Sequence, residues 1–234
     1  MKNERHTLVL FDIDGTLLIY KDGLPNRMFS EMVLHFFGKD ITIPKGFFSG
    51  KTDKAIIAEV LELAEVPDDE LKKDEAAIMD WIAEYVERET TPDSFHLLPN
   101  VKNILDILSK KNDTTIALLT GNLERCADIK LGHFGLEDYF VFGAFGEISV
   151  DRNDLGPAAL DRFAEVSDSA SVHNEDVVVI GDTISDVLCA KHIGAKSIIT
   201  LTGRTTREMI EPYSPHHIFD DLSDTEKVLN AIYN

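Results

Sequence analysis

Asp12 and Asp14 stand one residue apart at the end of an apolar run, in the stretch Leu-Val-Leu-Phe-Asp-Ile-Asp-Gly-Thr that covers positions 8–16. Carboxylates so placed can hold a hard cation, attack an electrophile or carry a proton, and each use needs them at the rim of a pocket. Two further apolar runs end in the same manner. Residues 116–119 lead into Thr120-Gly121-Asn122, and residues 177–180 lead into Gly181-Asp182-Thr183, with Asp186 one turn later. If the three runs lie side by side, Asp12, Asp14, Asp182, Asp186 and Thr120 converge on one site. Two carboxylates about 4 Å apart repel by roughly 4 kcal/mol at an effective dielectric of 20, so such a cluster calls for a bound cation. Oxygen-only ligands, with no His or Cys among them, favour Mg2+ over zinc. Taken one at a time the residues have plainer uses, Asp14 as a turn cap and Thr120 as a helix N-cap.

The elements that must position these residues alternate along the chain. The first strand is expected at 8–11, ended by the turn-permitting Gly15-Thr16. Val101, Ile104, Leu105 and Leu108 fall at i, i+3, i+4 and i+7 behind Pro99, the pattern of an amphipathic helix. Strands are expected at 115–119, 140–142, 177–180 and 197–201, and helices at 124–131, 157–166, 185–190 and 225–232. This order predicts an α/β fold, a Rossmann-like, doubly wound parallel sheet that binds its ligand outside the carboxyl ends of the strands. The segment 24–89 differs, with three helical stripes and no strand. Met28, Met32, Val33 and Phe36 mark the first; Ile56, Ile57, Val60, Leu61 and Ala64 the second; Leu71, Ile78, Ile82 and Tyr85 the third, with Trp81 as a packing residue. A helical cap domain inserted after the first strand, residues 21–91, would sit as a lid over a core made of residues 1–20 and 92–234.

Composition narrows the partners. The chain has 234 residues, 44% of them hydrophobic, enough for a core domain and a smaller companion. With 42 acidic and 23 basic residues the formal charge is -19, which repels nucleic acid and acidic membranes. An anionic substrate then needs a locally positive well. The opening apolar run stops at Asp12, too short for a signal peptide or a membrane span. Cys126 and Cys189 lack metal-like spacing and suit the core of a cytoplasmic, reduced protein, expected as a monomer or homodimer.

The three motifs in this order resemble the haloacid dehalogenase-like hydrolases, in particular the phosphoglycolate-phosphatase-like branch with a helical cap. The resemblance implies that Asp12 attacks phosphorus and forms an aspartyl-phosphate. It implies that Asp14 protonates the leaving oxygen and later takes a proton from water. It also implies that Mg2+ binds an Asp12 carboxylate oxygen, the Asp14 backbone carbonyl and Asp182, with Asp186 holding metal-bound water. Thr120 and the amides at Gly121 and Asn122 would donate to the phosphoryl group. Asp14 favours phosphate-ester hydrolysis, because a halide leaving group needs no acid.

The third motif of that family commonly carries a lysine, and this chain has none between Lys130 and Lys191. Arg162 sits in a helix whose apolar face excludes it, so Arg152 is assigned the neutralisation of Asp12 and phosphate through its two-pronged guanidinium. The stretch Phe47-Phe48-Ser49-Gly50-Lys51-Thr52-Asp53 resembles a Gly-Arg-Thr-Asp loop of the same branch. There Thr52 or Asp53 suits a helix N-cap, Gly50 lets the backbone approach substrate, and Lys51 reaches its anionic or hydroxylated end. Gly203-Arg204-Thr205 follows the strand at 197–201 and suits the pocket rim or an ordinary turn. The expected activity is Mg2+-dependent hydrolysis of a small phosphorylated metabolite, phosphoglycolate-like or a sugar phosphate. The alternatives are a phosphomutase, a phosphonate hydrolase using Lys51 or Lys54 as a Schiff base, and a non-catalytic regulatory protein that binds Mg2+ and a ligand.

Overall fold

The computed structural model describes residues 6–167 and 172–234; the polar run at 1–5 lies outside them. β1 (Thr7–Phe11) is apolar but for Thr7 and wholly buried, and Gly15, at φ +93°, turns the chain away from it. β2 (Leu18–Tyr20) leads into three helices, α1 (Leu24–Phe37), α2 (Asp53–Leu63) and α3 (Asp68–Glu89). β3 (Phe95–Leu97) returns antiparallel to β2, so the chain enters and leaves the helical segment through a two-stranded ribbon. The remainder alternates: α4 (Val101–Leu108), β4 (Thr114–Leu119), α5 (Glu124–Gly132), β5 (Gly143–Ala144), α6 (Leu155–Val166), β6 (Val177–Gly181), α7 (Ile184–His192), β7 (Lys196–Thr200), α8 (Arg207–Ile210), β8 (His217–Phe219) and α9 (Thr225–Tyr233).

The main sheet runs β5-β4-β1-β6-β7-β8, and every pairing in it is parallel. Strand order reverses at β1, with β4 on one side and β6 on the other, which opens a crevice at their carboxyl ends. Alternation along β1 supplies both faces. Val9 and Phe11 join α4, α5 and α9 on one side through Ile104, Leu105, Leu131 and Ile232. Leu8 and Leu10 meet α6 and α7 on the other through Leu155, Phe163 and Cys189. Each such apolar side chain, fully buried, contributes about 1.5–3 kcal/mol, and a sheet covered on both faces explains why its strands read as unbroken apolar runs.

The three helices of the insert pack on a core of their own, built from residues such as Met32, Ile57, Val60, Ile82 and Val86, which also takes in Leu123 and Cys126 from the start of α5. Thr52 caps α2, its hydroxyl accepting the Ala55 N–H at 3.1 Å, and Gly38 ends α1 in the left-handed conformation. Trp81 packs among His35, Phe36 and Tyr85. Among the described residues no helix is long and apolar enough to cross a membrane.

One strand is misplaced by sequence reasoning. Residues 140–142 do not form the expected strand, and the regular pairing with β4 is confined to Gly143–Ala144. A tight turn at Glu137–Tyr139 precedes them, and Phe140 packs edge-on against Phe11 instead of joining a strand. The Val141 N–H and the Phe142 carbonyl still bond to the edge of β4, to Ile116 and Leu118.

Candidate active site

β1 delivers Asp12 to the crevice, and β6 delivers Asp182 immediately beyond Gly181. Space around Asp182 is so tight that a Cβ at Gly15 would lie 2.5 Å from its carboxylate and one at Gly203 would lie 1.6 Å away. Thr183 opens α7, and Asp186 reaches back in a capping box, its Oδ2 accepting the N–H groups of Asp182 at 3.1 Å and Thr183 at 2.9 Å and the Thr183 hydroxyl at 2.7 Å. Asp12, Asp182 and Asp186 thereby bring one carboxylate oxygen each within 4.8 Å of one another. Arg152 comes from the turn before α6. Its Nη2 donates to Asp12 Oδ1 at 2.9 Å and to Asp186 Oδ1 at 2.6 Å. The guanidinium is therefore shared between two acids, while its buried Nε has no hydrogen-bond partner.

One arginine does not balance these acids. Burial, opposed by Arg152 and reinforced by Asp186 and Asp14, pushes Asp12 up to about 6. Burial together with Asp12 and Asp186 pushes Asp182 up to about 9. Asp182 Oδ1 is buried without a hydrogen-bond partner. A buried, unpaired acceptor among crowded carboxylates, with only oxygen donors around it, fits a hard divalent cation. Asp12 and Asp182 have acceptor capacity to spare for it. Asp186 does not, since four donors already engage its two oxygens.

A second polar knot lies beside the first. Asp14 Oδ2 accepts from Asn122 Nδ2 at 2.8 Å and from Lys130 Nζ at 2.6 Å. Lys130 also donates to Asn122 Oδ1 and lies 4.7 Å from the centre of the Tyr20 ring. Burial disfavours its ammonium, but Asp14 and Tyr20 outweigh that and raise its proton affinity. Sequence reasoning used Lys130 only as the boundary of a lysine-free stretch. The signal that could have found it is its place on α5, four residues after Cys126 and three after Ala127, on the face that meets the core. Thr120 is fully buried, its hydroxyl accepts Asn122 Nδ2 at 2.7 Å, and it does not line the cavity.

Residues of the insert line the same cavity. Gly50 has φ +72° and abuts Ser185, where a Cβ would lie 2.5 Å from the hydroxyl. Thr52, not Asp53, is the N-cap of α2, and Asp53 bonds across to the core. Its N–H donates to the Gly121 carbonyl at 2.6 Å, and its Oδ2 accepts the Leu123 N–H at 2.8 Å. Burial pushes Asp53 up to about 6 against the opposing pull of Lys130. Lys51 lines the cavity but is paired with Glu59 and stacked over Phe47 at 4.0 Å. The cavity measures about 250 Å³. Asp12, Asp14, Asp182, Arg152, Gly121 and Asn122 form its floor, Gly50 and Lys51 lie on its wall, Arg204 lines it too, and Met28, Phe29, Phe48 and Ile56 face them from the insert.

Comparison with known proteins places the chain among phosphatases of the same fold. A family model described as HAD-hydrolase-like matches residues 154–225. The phosphoglycolate phosphatase of Vibrio vulnificus is 25% identical over 230 residues, covering 95% of this chain and 96% of that protein. Phosphoglycolate phosphatase 1 of Pseudomonas aeruginosa is 27% identical over 225 residues, covering 93% of this chain and 77% of that protein. Among solved structures, CbbY from Rhodobacter sphaeroides in complex with phosphate superposes with a TM-score of 0.70 at 18% identity, covering 94% of this chain and 96% of that one. A predicted phosphoglycolate phosphatase from Haemophilus somnus gives 0.68 at 20% identity, covering 97% and 99%. Fold and matches together define a phosphoric monoester hydrolase. The chain is similar over nearly its whole length to phosphoglycolate phosphatases, and residues 154–225 match the HAD-hydrolase-like family model.

Proposed function

We propose that the protein is a Mg2+-dependent phosphatase of a small phosphorylated metabolite, phosphoglycolate-like or a sugar phosphate, working through an aspartyl-phosphate on Asp12. The observation that carries this reading is the meeting of Asp12, Asp182 and Arg152 at the reversal point of a parallel sheet, with more buried negative charge than the arginine balances. Mg2+ held by the Asp12 and Asp182 carboxylates and the Asp14 carbonyl would supply the charge neutralisation that lets an anionic nucleophile approach an anionic phosphoryl group.

The remaining tasks fall to the chain itself. Asp12 attacks phosphorus, and Arg152 keeps it ionised and aimed. Asp14 gives a proton to the leaving oxygen, then takes one from the water that releases phosphate. Backbone amides at Gly121 and Asn122 donate to the phosphoryl oxygens. Asp186 positions Arg152 and the turn that carries Asp182. We assign residues 21–91 as the cap that excludes water and selects the leaving group, over a core of residues 1–20 and 92–234. Lys51 and Lys54 are both ion-paired, with Glu59 and Glu75, so no observation favours a Schiff base on either.

The test is turnover of an aryl phosphate and a panel of phosphorylated metabolites with Mg2+. Asp12→Asn should lower kcat by at least about 10⁴-fold, as loss of a covalent nucleophile does. Retention of activity in that variant, or no turnover of any phosphate ester by the wild-type protein with Mg2+, overturns the proposal.

A further inference from the structure

Lys130 is the residue the phosphatase reading leaves without work. Its Nζ is 2.6 Å from Asp14 Oδ2, it is only 3% exposed, and it also engages Asn122 and the face of Tyr20. A buried ammonium is costly to maintain unless it is paired, and pairs of this kind are kept where geometry matters. The other oxygen of Asp14, Oδ1, is buried and has no hydrogen-bond partner. The orientation of the carboxylate therefore rests on its Oδ2 side alone, on Lys130 and Asn122. Asn122 is in turn held by Thr120 at 2.7 Å, and its neighbours Gly121 and Leu123 are tied to Asp53 of the insert, so the clamp is anchored on both halves of the site.

We propose that Lys130 is the positioning residue for Asp14, holding the carboxylate where it can pass a proton to the leaving oxygen. The inference rests on the proposed acid role of Asp14. A proton is needed in step with P–O cleavage only when the departing alkoxide is basic. An aryl oxide with electron-withdrawing groups leaves as the anion. Misplacing Asp14 thus penalises alkyl esters and largely spares activated aryl esters, whereas a merely structural loss lowers both alike.

The experiment compares kcat/KM for dinitrophenyl phosphate and for glycerol phosphate, with Mg2+, in wild type and in Lys130→Met. The ratio of aryl to alkyl rates should rise by about 10²-fold, the usual scale of a lost acid-base contribution. Lys130→Arg, which retains a cation facing Asp14, should bring part of the ratio back. If the methionine variant does not fold, Lys130→Gln, uncharged and one atom shorter, should raise the ratio in the same direction. A rise below about fivefold in whichever uncharged variant folds overturns the assignment. Failure of the wild-type protein to turn over either ester would remove the phosphatase reading itself, a separate result from an unchanged ratio.

Discussion

At the floor of the cavity, Asp12 and Asp182 are carried on strand ends, with Asp186 wholly buried beside them on a helix cap, and the three are locked by Arg152 and by glycines with no room for a side chain. Facing them, the insert offers Met28, Phe29, Phe48 and Ile56, with the Lys51–Glu59 ion pair beside them. The floor concentrates charge where water is excluded and every hydrogen bond is directed; the roof is shaped mostly by packing. Chemistry built on the floor tolerates little change, because each carboxylate there is defined by its neighbours. The roof can exchange one apolar side chain for another of like volume at about 1.5 kcal/mol or less.

The sharpest way to break this contrast is Arg152→Met. Turnover should fall by about 10²- to 10³-fold through loss of an oriented cation. Stability should fall by about 3–5 kcal/mol, because Asp12 and Asp186 lose their shared partner in a buried site. Kinetics and urea unfolding measured together check both, and a stability loss without a kinetic one would make the arginine scaffold only.

The charge imbalance of the floor makes a second test through pH. Burial raises Asp182 to about 9 and Asp12 to about 6, from the ordinary 3.8. A carboxyl raised in the folded state binds its proton more tightly there than in the unfolded chain. Its contribution is complete below the ordinary value and is lost as pH climbs to the folded one. Metal-free protein should therefore melt at progressively lower temperature across that window, Asp12 having lost its share by about 6 and Asp182 by about 9. At pH 8, Mg2+ at about 100 times its Kd should restore about 2.7 kcal/mol, about 5–10 °C in melting temperature for a chain of this size. A melting temperature indifferent to Mg2+ would count against the floor as a cation site.

The smallest effect concerns the tie between roof and floor. Asp53→Ala removes the acceptor for the Leu123 N–H and should weaken closure by about 1.5 kcal/mol, the worth of a hydrogen bond to a charged group. KM should rise roughly tenfold while kcat stays within about twofold. A fall in kcat with KM unchanged would mean that Asp53 shapes the floor and not the closure.

Much of the floor was legible before any coordinates. Asp12, Asp14, Asp182 and Asp186 interrupt or follow apolar runs where no buried strand would keep them, and Arg152 follows from the family resemblance, as the basic residue available for its third motif. Lys130 was not legible, because a lysine on a helix reads as solvated until the partner of that helix is known. Nor did the pattern distinguish Thr52, which caps α2, from Asp53, which bonds across to the core. Thr120, expected to donate to phosphate, is fully buried with its hydroxyl accepting from Asn122 Nδ2. The three-residue strands β2, β3 and β8 are too short to show an alternation of their own.

The chain by itself determined the alternating strands and helices, the parallel sheet and the acids at its strand ends, since apolar period and turn chemistry act over a few residues. Tertiary structure decided which partner each acid received. β1 lies between β4 and β6, so Asp12 meets Arg152 from 140 positions away and Asp14 meets Lys130 from 116. No local pattern encodes that adjacency; it follows from packing two layers of helices on one sheet, which selects the strand order and with it the electrostatic neighbours of every residue in the crevice.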